Sequence, residues 1–142
     1  MSASNTSFPA DPCKTSIALA GSDAVAQAAA LIVAGHAVAV PTETVYGLAA
    51  NALLAESVAR IYAAKGRPAF NPLIVHVAGL EMALGLAEFD ETSLLLAERF
   101  WPGPLTIVAP RRPDCPLPSI VTAGLGTGGL RCPPHPVMQA LI

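Results

Sequence analysis

The side chains in this chain able to do chemistry on charged ligands gather in two short stretches and one later residue. Pro41 to Leu53, PTETVYGLAANAL, supplies the hydroxyls of Thr42, Thr44 and Tyr46, and Lys65 to Val77, KGRPAFNPLIVHV, supplies Lys65, Arg67, Asn71 and His76. Arg131 follows a glycine-rich run, Gly124 to Gly129. Arginine offers a planar fork that matches carboxylate or phosphate, and lysine offers a compact point charge. Hydroxyls beside a strand end can fix an amino acid or a ribose. The chemistry indicated is the holding of anions, with a triphosphate and a carboxylate as the natural pair. Each residue also has a plainer reading. Lys65 suits a helix C-terminus, Thr42 and Thr44 suit turn capping, His76 suits a core strand, and Asn71 before Pro72 suits a turn. Glu43, the one carboxylate of the first stretch, reads as a solvated surface residue.

Chain-wide numbers narrow the setting. A chain of 142 residues suits one domain with one core. With 53% hydrophobic and 13% charged residues, it is far from the composition of a disordered chain. A net charge of −2 gives no global basic field for nucleic acid, so attraction to a polyanion must be local. The three cysteines, Cys13, Cys115 and Cys132, have no C-x-x-C spacing and suggest neither a disulfide framework nor a zinc site, and no metal-ligating residue is assigned. The apolar run Ala24 to Val40 is broken by Gln27, Gly35 and His36, short of a membrane span, and the first residues lack a signal-peptide pattern. A cytoplasmic protein without a membrane partner is expected.

The elements that must position these residues alternate between helix and strand. Residues 1–15 lack periodicity and read as a disordered tail, with one domain over 16–142. Ala24, Val25, Ala28, Leu31 and Ile32 recur at helical spacing from an N-cap at Ser22 to a stop at Gly35. Ala37 to Val40 reads as a buried strand delivering the PTET segment at its carboxyl end, the usual ligand position in an open α/β sheet. A helix over Ala55 to Lys65 ends at Gly66, and Leu73 to Val77 is a second buried strand. Helices are expected over Leu80 to Ala87 and from an N-cap at Asp90 to Phe100. Strands are expected over Leu105 to Ala109, Ser119 to Val121 and Gly129 to Cys132, with loop over Arg111 to Pro118. Trp101 reads as a cap on the core, and a helix opens at His135. The GLGTGG run lacks the Lys-Ser/Thr ending of a P-loop. The fold class is α/β.

Four ordered strings carry a stronger signal than any residue alone. PTETVYGLAANAL, KGRPAFNPLIVHV, WPGPLTIV and GLRCPPHPV, over about Ala18 to Ile142, resemble the YrdC-like family, the threonylcarbamoyl-AMP synthases of tRNA modification. The resemblance implies a twisted open sheet with flanking helices around a cationic cavity. It also implies condensation of L-threonine, bicarbonate and ATP into L-threonylcarbamoyladenylate, with release of pyrophosphate and magnesium on the phosphates. A separate transferase then passes the threonylcarbamoyl group to tRNA. Position by position, Thr44, His76 and Arg131 match threonine-binding residues, and Arg67, Asn71 and Thr127 match ATP-binding ones. Lys65 and Arg67 match the Lys-x-Arg pair placed to act on the carbamate or the phosphates. The family's following Ser-x-Asn motif is not reached before Ile142, so a C-terminally incomplete fold with little synthase activity of its own is expected. A double-stranded RNA or tRNA module, using Arg60, Arg111 and Arg112, is the competing class. The related carbamoyl-transfer domain of hydrogenase maturation proteins ranks last, since no acylphosphatase-like or zinc-finger segment precedes the domain.

Overall fold

A computed structural model describes residues 15–142; the expected tail, apart from Thr15, and Cys13 lie outside the described residues. Helix α1 covers Ser22–Val33. Gly35 follows it at φ 90°, a left-handed turn that favours glycine and ends the helix as its position predicts. Strand β1, Val38–Val40, pairs antiparallel with β2, Gly47–Ala49, so the PTET segment is the tip of a two-stranded hairpin. The strand expected over Ala37 to Val40 is thus present and delivers the PTET segment at its carboxyl end, but it pairs with β2, a strand the sequence did not indicate, in a sheet separate from that of β3. Helix α2, Ala55–Lys65, stops at Gly66, which is left-handed at φ 56°. Ser57 Oγ and Arg60 Nη1 both donate to the carbonyl of Gly35, at 3.1 and 2.9 Å, tying α2 to the end of α1.

The remaining strands are β3, Ile74–His76, β4, Thr106–Pro110, and β5, Thr127–Arg131. They form one sheet in the order β3-β5-β4, with β5 parallel to β3 and antiparallel to β4. Helix α3 is Leu80–Leu84, shorter than expected. Helix α4, Glu91–Phe100, starts at Asp90, whose side chain accepts from the Ser93 N–H at 2.7 Å. Trp101 donates from Nε1 to the Leu105 carbonyl at 2.8 Å and meets Phe89 edge to face, which fits its role as a cap. Helix α5, Pro136–Leu141, is capped by His135 Nδ1, which accepts from the Val137 N–H, and packs on α1.

One expectation is overturned and one strand boundary moves near the C-terminal third. Ser119–Thr122 is a 3-10 helix and not a strand. Its β-branched residues suit a strand, but Thr122 Oγ1 lies within donating distance of the Leu125 carbonyl at 3.0 Å and the Ser119 carbonyl at 3.3 Å, and the Tyr62 hydroxyl lies 3.2 Å from the Ile120 carbonyl. The strand expected over Gly129 to Cys132 is present as β5 but begins earlier, at Thr127, so Thr127 and Gly128 are strand and not turn, and it ends at Arg131. The core joins Val58 and Tyr62 of α2, Val75 and Val77, Ala109, Leu117, Val121 and Leu130.

Candidate functional site

Period-two alternation along the sheet separates its two faces without exception. Val75, Ile107, Ala109, Gly128 and Leu130 are buried, whereas Ile74, His76, Thr106, Val108, Thr127, Gly129 and Arg131 retain solvent contact. The cross-strand register places His76 beside Arg131 and Arg131 beside Thr106, so the polar groups on this open face lie side by side at one end.

Arg131 organises that end. Its Nε donates to Thr106 Oγ1 at 2.9 Å, and its Nη1 donates to Glu43 Oε1 at 3.0 Å. The Glu43 and Arg131 side chains are only 13% and 20% exposed, so this pair joins the β1–β2 loop to the central strand where water screens poorly. Nη2 of Arg131 has no partner among the described residues and is not sealed from solvent, whereas Glu43 Oε2 is buried with no partner among them. Glu43 is therefore no solvated surface residue. Its partner lies 88 positions away in the chain, so no local pattern could reveal it. Thr106 was missed for the same reason.

The loop around Glu43 is ordered by Thr42. Its Oγ1 donates to the Val45 carbonyl at 2.5 Å and accepts from the Thr44 and Val45 N–H groups at 3.2 Å. Thr44 Oγ1 lies 3.2 Å from the same hydroxyl and is exposed. His76 has no side-chain hydrogen bond among the described residues, unlike the satisfied core histidine its apolar strand suggests. Burial pushes its pKa below the ordinary 6.5, the Arg131 charge pushes it further, and Glu43 partly opposes both. The ring is thus neutral at neutral pH.

The other expected residues assemble at the opposite end. Arg67 donates from Nε to the Asn71 carbonyl at 3.2 Å and from Nη2 to the Pro72 carbonyl at 2.8 Å, stapling the loop that leads into β3. The Tyr62 hydroxyl holds the same Asn71 carbonyl at 2.9 Å. Thr127 opens β5, the parallel neighbour of β3, and stands on the same face as Arg131 but about 13 Å away, at about 3.3 Å of rise per residue. Lys65 ends α2 and makes no hydrogen bond or ion pair among the described residues. The structure thus brings Arg67, Asn71 and Thr127 to the start of the parallel pair, and His76, Arg131 and the Thr44 loop to its finish.

Magnesium is the one metal the resemblance implies. Among the described residues no group of three or more His, Cys, Asp or Glu side chains could enclose an ion. These donors do not fit a protein-built magnesium cage, and no step below runs through the metal.

Small sheets flanked by helices define an α/β domain of a known kind: the chain belongs to the Sua5/YciO/YrdC family, described as telomere recombination, whose model matches residues 30–142. Similarity to individual proteins is also high. The threonylcarbamoyl-AMP synthase of Bacillus subtilis is 51% identical over 119 residues, covering 83% of this chain and 34% of the relative. That of Pyrococcus abyssi is 52% identical over 116 residues, covering 81% and 34%. The crystal structure of P. abyssi Sua5 complexed with L-threonine superposes with a TM-score of 0.79 at 50% identity, covering 83% of this chain and 34% of that one. The chain spans about a third of the length of these relatives. Among the described residues, no helix is long and apolar enough to cross a membrane.

Proposed function

We propose that this chain carries the substrate-holding face of a threonylcarbamoyl-AMP synthase, a nucleotidyltransferase that serves tRNA threonylcarbamoyladenosine formation in the cytoplasm. The observation that carries the reading is the cluster at one end of the open sheet face, where the Arg131 guanidinium stands beside His76 and reaches the loop that holds Thr44. At one end Arg131 offers Nη2 beside a neutral His76 and the Thr44 hydroxyl, a setting for an amino acid carboxylate and side-chain hydroxyl. Lys65, at the end of α2, and Arg67, in the loop that follows it, have no carboxylate partner among the described residues, a setting for a triphosphate. The names of the relatives and the threonine complex of one of them support the same substrates.

In this reading the ammonium of L-threonine first gives up a proton to solvent, and the free amine and bicarbonate then give the N-carboxylated amino acid and water. A carbamate oxygen then forms a bond to the α-phosphorus of ATP, and the bond to the β-phosphate oxygen breaks to release pyrophosphate. Both reactants are anions. Lys65 and Arg67 offset their repulsion, Asn71 and Thr127 hold the nucleotide, and His76, Thr44 and Arg131 hold threonine in line. No covalent enzyme intermediate is required, and magnesium travels with the phosphates. The product passes to a threonylcarbamoyl transferase and tRNA.

The RNA-binding alternative gains no support. Arg60 is engaged by the Gly35 carbonyl, Arg111 by the Leu117 carbonyl and Thr122, and Arg112 by Asp114. The test is calorimetric titration of the folded chain with L-threonine. Saturable binding that Arg131→Ala abolishes is expected. Absence of binding to the unsubstituted chain, or binding unchanged by Arg131→Ala, contradicts the assignment.

A further inference from the structure

The threonine end holds a carboxylate that the substrate roles above leave unused. Glu43 Oε1 is spent on Arg131, and Oε2 is buried with no partner among the described residues, an arrangement that needs a reason because an unsatisfied buried oxygen is costly. Thr106 takes the guanidinium from the opposite side through Nε. Two of the three nitrogens of Arg131 are thereby fixed from two different elements, and the planar group can present only its Nη2 edge.

Glu43 also changes the charge an incoming ligand meets. Arg131 and Glu43 cancel, and the neighbouring His76 ring is neutral, so this end of the face carries no net charge at neutral pH. A ligand bearing a carboxylate and an ammonium suits such a site. A ligand bearing only a negative charge meets the Glu43 carboxylate without compensation.

We propose that Glu43 is a positioning and specificity-determining residue, which with Thr106 locks Arg131 and, by its buried counter-charge, selects a zwitterionic amino acid over an anion of the same shape. The inference rests on the reading that Arg131 faces the amino acid. Its selective part acts through space and needs no contact between Glu43 and the ligand. Charges a few ångströms apart near a protein surface still change affinity by about tenfold or more.

The test compares L-threonine with (R)-3-hydroxybutyrate, which keeps the hydroxyl and carboxylate but lacks the ammonium, by calorimetry on the chain and three variants. The unsubstituted chain prefers threonine. Glu43→Gln, which keeps shape and an oxygen for Arg131, narrows that preference by about tenfold, Glu43→Asp retains it, and Thr106→Val weakens both ligands by the same factor. Equal weakening of both ligands by Glu43→Gln, or an unchanged ratio, overturns the selective role while leaving the threonine site in place. Loss of the preference in Glu43→Asp as well, with a cooperative melt retained, overturns it too. Failure of the unsubstituted chain to bind threonine overturns the reading beneath it.

Discussion

The two faces of the β3-β5-β4 sheet are built from the same strands and obey different rules. On the buried face every position is apolar or glycine, and packing alone decides what is allowed. On the open face Thr106, Thr127 and Arg131 alternate with them along the same backbone, and there the partners come from distant loops. One strand therefore serves as core and as ligand wall, and a substitution one position along should change which property fails.

The largest effect is expected at Leu130, which is 1% exposed on the buried face. Leu130→Ala should cost about 2–5 kcal/mol in a denaturant melt through lost burial and the cavity left behind. Its neighbour Arg131 tests the other face. Arg131→Ala leaves the Glu43 carboxylate enclosed without its cation and should cost about 1–3 kcal/mol, below the roughly 3–5 kcal/mol of a fully buried pair because both side chains keep some solvent. Unlike Leu130→Ala, it should abolish threonine binding under conditions where the chain is still folded.

A smaller effect concerns His76. Its folded-state pKa lies below 6.5, so the unfolded chain binds the proton first as pH falls. The stability that neutral His76 permits is complete above about pH 6.5 and is lost as pH drops below it. Melts at about pH 7.5 and 5.5 should show His76→Gln losing less stability over that interval than the unsubstituted chain. An equal loss would place the ring in an environment no different from water. The smallest effect is expected at Val108, which is 66% exposed on the open face, where Val108→Ala should shift the melt by no more than about 0.5 kcal/mol.

The sequence made the helices legible where a local signal existed. Gly35 and Gly66 terminate α1 and α2 in left-handed conformations, and Asp90 caps α4 through its own side chain, all consequences of residues within a few positions. Periodicity also marked β1, β3 and β4 to within two residues at either end. It failed where tertiary contacts overrule local preference. Ser119 to Thr122 has the composition of a strand but is wound by Thr122 and held by Tyr62, and the glycines hid the first two residues of β5, Thr127 and Gly128, behind the appearance of a turn. At the candidate site, motif resemblance supplied Thr44, Lys65, Arg67, Asn71, His76, Thr127 and Arg131. Glu43 and Thr106 emerged only from the fold, since the contacts that define them cross 88 and 25 residues of chain.

The central claim is that two ligands occupy separate places, L-threonine at the Arg131 end of the open sheet face and ATP at the loop between α2 and β3. Amide and side-chain NMR shifts of the chain titrated separately with L-threonine and with ATP test it most directly. The account predicts that threonine perturbs Thr44, His76, Thr106 and Arg131, while ATP perturbs Lys65, Arg67, Asn71 and Thr127, with Leu130 and Val75 little changed by either. Overlapping perturbations at a single place, or threonine shifts that spare Arg131 and His76, would contradict it.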